Sequence, residues 1–132
     1  MKSSPYITLA LTVLGVAVVW IANLAGLWWV TSLAGLAIGL VVQRGRVAFG
    51  LAALAGLLGW AAPLAIASVG LPIGQAASVV AGIMGFGTAN GYLVVAVTVL
   101  LGLLLCLSGA WVGVALRRLL PSPRATTRRS TL

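Results

Sequence analysis

The chain has 132 residues, of which 62% are hydrophobic and 6% charged, with eight Lys or Arg and no Asp, Glu or His. Without carboxylates or imidazoles it lacks the usual general acids, general bases and hard-metal ligands, so no catalytic residue, cofactor or metal is expected. The charged share is far below the roughly 25% typical of soluble domains, which argues against a water-soluble globule.

The positive charges are confined to Lys2, the pair Arg44 and Arg46, and a C-terminal group of Arg117, Arg118, Arg124, Arg128 and Arg129. They flank apolar blocks instead of forming a patch on a polar surface. That pattern speaks against a nucleic-acid partner despite the net charge of +8. Anionic lipid headgroups at a cytoplasmic membrane face are the expected partner of the basic segments.

Residues 3–43 carry no charge. A helix crossing a bilayer takes about 20 apolar residues, so this block predicts two spans, 6–22 and 27–42. A tight turn joins them at Asn23, Leu24, Ala25 and Gly26, since Asn and Gly are turn formers. Span one is expected to stay in place, because no convincing small-residue cleavage site follows it. The short segment Gln43-Arg44-Gly45-Arg46 then predicts a charged loop.

Residues 47–116 form the second uncharged block. Spans three and four are predicted at 47–69 and 92–116, separated by a connector that opens at Gly70-Leu71-Pro72. Pro63 inside span three removes one backbone donor and crowds the carbonyl four residues back, at Gly59. A kink or a cavity beside Trp60 is the expected result. At 1.5 Å per residue from Arg46, Trp60 lies about 21 Å along its helix. By contrast Tyr6, Trp20, Trp28, Trp29 and Tyr92 fall near span ends, where amphipathic rings meet headgroups.

Pro72 is suited to open a short helix, with Ile73, Ala76, Ala77, Val80, Ile83 and Met84 on one face and Gln75, Ser78 and Gly82 opposite. At about 17 Å this helix is too short to cross a core of about 30 Å. Two readings stay open: a helix lying on the external surface, or a re-entrant loop returning through the glycines. In the second, Gln75, Gly85, Gly87, Thr88 and Asn90 would line a water-filled or protein-lined cavity. Gly85-Phe86-Gly87 is no phosphate loop, lacking a preceding strand and a following Lys.

Small residues recur four apart: Gly35 with Gly39, Ala52 with Gly56, Ala55 with Gly59, and Gly109 with Gly113. In lipid such spacings let helices approach closely, either within the chain or against another chain. The hydroxyls of Thr8, Thr12, Thr31, Ser68, Thr98 and Ser108 are expected to bond back to helix carbonyls. Cys106 reads as a small apolar filler. Residues 1–118 are thus expected to form the membrane domain and 119–132 a basic, disordered cytoplasmic tail.

The predicted fold is an all-α membrane protein: a four-transmembrane-helix bundle with both termini inside. All eight positive residues then share one side, which the positive-inside rule makes cytoplasmic. Arg44, Arg46, Arg117 and Arg118 serve there as topology and lipid anchors. The expected setting is the cell membrane, multi-pass, of prokaryotic inner-membrane type. The expected function is a non-catalytic accessory or assembly subunit of a larger membrane complex. The alternatives are a small homo-oligomeric channel or transporter for an anion or neutral solute, and a holin-like or immunity membrane protein.

In size and helix count the chain resembles the small multidrug transporters and the small fluoride channels. It departs from both. The transporters rely on a membrane-embedded Glu, and this chain has none. The channels carry a Gly-Thr-Leu-x-Val-Asn type segment and a Phe-rich filter; Gly87-Thr88-Ala89-Asn90 does not match the segment, and the chain holds only two Phe.

Overall fold

A computed structural model describes residues 5–119. Five α-helices follow in order: α1 (Pro5–Leu24), α2 (Val30–Val41), α3 (Gly45–Gly70), α4 (Ile73–Ile83) and α5 (Gly91–Leu119), with a 3₁₀ turn at Thr88–Asn90 before α5. No strand occurs among the described residues. Two helical stretches, Gly45–Gly70 and Thr88–Leu119, are long and apolar enough to cross a membrane.

The turn after α1 closes where the sequence predicts it. Gly26 has a φ of +74°, which a residue with a side chain rarely adopts. Around it the N–H of Leu27 donates to the Ala22 carbonyl at 2.8 Å and that of Gly26 to Asn23 at 3.0 Å. This paired closure satisfies carbonyls that the helix end would otherwise leave bare.

α2 is shorter than the predicted 27–42. Leu27, Trp28 and Trp29 form overlapping turns, with Val30 donating to Leu27 at 3.1 Å and Thr31 to Trp28 at 3.2 Å. The chain leaves the helix at Val42, whose ψ is +111°. Twelve residues remain in the helix, a length of about 18 Å. Both long helices instead exceed expectation: α3 gains a residue or two at each end, and α5 runs on to Leu119. Arg117 and Arg118 therefore belong to the last helical turn instead of following it. Lys2 and the rest of the predicted tail, with Arg124, Arg128 and Arg129, lie outside the described residues.

The core is built of small side chains. α3 buries Ala48, Leu51, Ala52, Ala55, Gly56 and Gly59, and α5 buries Gly102, Cys106, Gly109, Ala110, Gly113 and Val114. Both sets repeat every three to four residues and so form one stripe per helix. The large apolar side chains face outward: Val69 is 90% exposed, Trp111 71% and Ile21 67%. α1 packs alongside α3, with Val19 seated on Gly59 and Gly15 near Ala55, so the two run parallel. α3 meets α5 with Gly56 at Gly102, Leu103 and Cys106. α2 and α5 run parallel, with Ser32 at Gly109 and Leu36 at Gly113.

α4 packs on the first turn of α5 through Ala77 and Ala81, both buried. Of its predicted apolar face only Ala77 is buried, and the packed side is shifted to include Ala81. Val80, Ile83 and Met84 are exposed, because the contact requires small residues. A Cβ on Gly91 would fall 2.8 Å from the backbone nitrogen of Ser78.

Candidate functional site

Three polar or aromatic side chains join α1, α2, α3 and α5 at the end of the bundle away from Arg117. The first is Asn23. Pro63 has no N–H to give the carbonyl of Gly59, four residues earlier in α3. Asn23, in the last turn of α1, supplies the missing donor, its side-chain amide reaching the Gly59 oxygen at 3.3 Å. α3 continues unbroken past Pro63 to Gly70. The predicted cost of the proline is thus met by a neighbouring helix.

Trp60, one residue past Gly59, makes the second junction. Its indole N–H donates to the hydroxyl of Thr31 at 3.2 Å, and Thr31 is fully buried at the start of α2. The indole abuts α5 where Gly102 leaves space: a Cβ there would stand 2.3 Å from the ring. Thr31 departs from the expectation that the hydroxyls bond back to their own helices. Ser68, Thr98 and Ser108 do so, to Ala65 at 2.6 Å, Val94 at 2.8 Å and Leu105 at 2.9 Å. Thr31 instead serves the neighbouring indole, since a buried N–H requires an acceptor.

Beside these junctions lies a cavity of about 270 Å³ lined by Asn23, Gly26, Trp28, Trp60, Pro63, Leu64 and Thr98. Its walls hold no ionisable group. Trp60 and Pro63, singled out in the sequence, are among these lining residues. Gln75, Gly85, Gly87, Thr88 and Asn90 do not: all but Asn90 are exposed. Asn90 directs its amide to the Phe86 carbonyl, closing the local turn.

The opposite end carries the arginines. Arg117 donates to the carbonyls of Gly39 at 3.2 Å, Gln43 at 2.9 Å, and Val42. These are the bare carbonyls at the end of α2 and just beyond it, and a cation is the favoured partner for a helix C-terminus. Arg117 is therefore a helix cap supplied across the bundle. Arg44, Arg46 and Arg118 are exposed at the same end, and none of their guanidinium groups has a hydrogen bond or ion pair among the described residues.

The predicted packing glycines all meet other helices of the same chain. Gly35 and Gly39 face the backbone of Cys106 and Ala110, while Gly109 and Gly113 face Ser32 and Leu36. Gly56 faces α5 and Gly59 faces Val19 of α1. Asn23 and Gly102 are the residues whose roles the sequence left unread. The signal for Asn23 was present, since a proline inside a helix always orphans the carbonyl four residues back.

No cluster of His, Cys, Asp or Glu suited to a metal ion occurs among the described residues. No protein-family model, curated protein or solved structure matches the chain.

Proposed function

We propose that the chain is a multi-pass integral protein of the cell membrane, with α1, α2, α3 and α5 as its four spans. We further propose that it serves as a non-catalytic accessory or assembly subunit of a larger membrane complex. The observation that carries this reading is the inverted packing, with mostly Ala, Gly and Cys inside and most of the Leu, Val, Ile and Trp side chains outside. In water an apolar surface of that extent would drive aggregation. In hydrocarbon, helices lack a hydrophobic reason to associate, and close backbone approach through small residues holds them together instead.

Orientation follows from charge. The arginines at the α2–α3 loop and at the end of α5 lie together, and the positive-inside rule assigns that end to the cytoplasm. α4 and the Gly26 turn are then external. The short α2 spans with help from its flanking turns and a local thinning of the bilayer. Transport pathways usually carry charged groups inside the membrane, and no acidic or basic side chain occurs between Arg46 and Arg117. That absence favours an assembly role. The outward Leu and Trp side chains of α5 offer a partner helix a large apolar face.

Two experiments test the reading. Reporter fusions at the N-terminus, at Gly45 and after Arg118 should report cytoplasm, and fusions near Gly26 and Gln75 the outside. An external reporter at Gly45 overturns the topology. Purification in mild detergent should return one other membrane protein in fixed ratio. A pure homo-oligomer would replace the assembly role with the channel or transporter reading, which the cavity at Trp60 favours.

A further inference from the structure

The whole chain contains no Asp or Glu, so no side-chain carboxylate can neutralise its cations. At the end of the bundle the fold gathers several of them. The bond from Arg117 to the Gln43 carbonyl at 2.9 Å fixes the last turn of α5 beside the loop that carries Arg44 and Arg46. Arg118 is the next residue on α5. Arg117 is half-buried and engaged with three carbonyls, whereas Arg44, Arg46 and Arg118 are exposed and unengaged among the described residues.

Like charges held together by backbone geometry repel unless an anion lies among them. We propose that Arg44, Arg46 and Arg118 form a docking site for the phosphate headgroup of an anionic membrane lipid. This proposal rests on the membrane reading above. Charge complementarity decides the occupant: the patch is wholly cationic, it borders the apolar outer surface of α3 and α5, and guanidinium forks match phosphate oxygens. A headgroup attached to acyl chains meets both demands at once. Arg117 is not part of this site, because its donors already serve the end of α2. Four neighbouring arginines thus divide into one structural cap and three lipid-facing groups.

The test measures association of spin-labelled phosphatidylglycerol and phosphatidylcholine with the full chain reconstituted in phosphatidylcholine vesicles. The assay reads both leaflets, so mixed orientation does not affect it. The native protein should favour the phosphatidylglycerol label by about tenfold or more, since each basic side chain at a membrane surface contributes about fivefold. Raising the salt should weaken the preference.

The triple variant R44Q/R46Q/R118Q should lose most of that preference. The charge-matched variant R124Q/R128Q/R129Q should lose clearly less of it, and Arg117→Gln should leave most of it while lowering thermal stability. If the triple variant fails to fold, Arg118→Gln alone should reduce the preference by about fivefold.

Equal loss in the two charge-matched triples would reduce the effect to net charge and overturn the site. Equal association of the two labels with the native protein would do the same. Competition by a polyglutamate peptide, with no lipid preference, would reassign the patch to an acidic protein partner. Release of the chain from membranes by alkaline carbonate would overturn the membrane reading, and this proposal with it. Retention on the membrane without lipid preference would overturn this proposal alone.

Discussion

α2 and α4 have nearly the same length, 12 and 11 residues, and both pack against α5, yet the fold treats them differently. α2 buries Thr31, Gly35, Ile38 and Gly39 and is capped at its end by Arg117. α4 buries only Ala77 and Ala81, leaving Ile83 81% and Met84 61% exposed. The difference lies in what α5 offers each of them. Against α2 it presents Gly109 and Gly113, matched by Gly35 and Gly39, so two backbones meet along more than a turn. Against α4 it presents Gly91 alone. A short helix is held in the bundle by reciprocal small residues and a satisfied end, not by its own length or apolarity.

The seam between α2 and α5 is the place to break this comparison. An Ala Cβ at Gly35 or Gly109 would fall 2.0 Å from a backbone carbonyl oxygen, and no side-chain rotation relieves a clash with backbone. Gly35→Ala and Gly109→Ala should each destabilise by about 3 kcal/mol, at the upper end of overpacking costs. Thermal unfolding in detergent measures this. Gly50→Ala, where nothing lies within 4 Å, is the control and should not lose stability. A Gly35→Ala protein as stable as the control would show that the seam does not hold α2.

Removing the cap tests the other half of the difference. Arg117→Gln should cost about 2 kcal/mol, the value for hydrogen bonds to a charged group. Amide exchange should accelerate selectively in the last turn of α2, while α4 stays unchanged. Uniform acceleration through the bundle would contradict a local role.

The junction at Pro63 allows a sharper test, because one change should cure another. Asn23→Leu leaves the Gly59 carbonyl without its donor and should cost about 1–2 kcal/mol. Pro63→Ala restores an N–H to that carbonyl within α3. In the Pro63→Ala background, Asn23→Leu should therefore cost much less. A double-mutant cycle reads this as a coupling of about 1 kcal/mol, and a coupling near zero would refute the substitution of one donor for the other.

The smallest effect is expected at α4. In a Cys106→Ala background, single cysteines at Gln75 and Thr88 should label rapidly from outside with a membrane-impermeant thiol reagent, as both positions are exposed. A cysteine at Ser78, packed beside Gly91, should react a few-fold more slowly. Protection at Thr88 would revive a re-entrant path for the segment before α5.

Much of this arrangement is legible in the sequence. Asn23 through Gly26 announced their turn because a positive φ calls for glycine, and Pro72 marked the boundary before the start of α4. Pro63 pointed to a kink or a cavity beside Trp60 because a proline leaves the carbonyl four residues back without its donor. The glycine pairs were readable as contact points, but their partners were not. Spacing four apart tells which face of a helix is flat and leaves open whether the facing backbone belongs to the same chain.

Composition and the placement of charge by themselves determined that the helices would be apolar and how the chain divides between them. These follow from local properties: the length of uncharged blocks, turn chemistry, and the absence of every acidic side chain. Tertiary structure alone decided that Arg117 caps α2, that Asn23 replaces the donor lost at Pro63, that Thr31 accepts from Trp60, and that Ala77 and Ala81 are the packed face of α4. Each of these joins residues far apart in the chain. An unsatisfied carbonyl or a bare stretch of backbone states only that a partner is needed; which residue answers depends on how the helices are brought together.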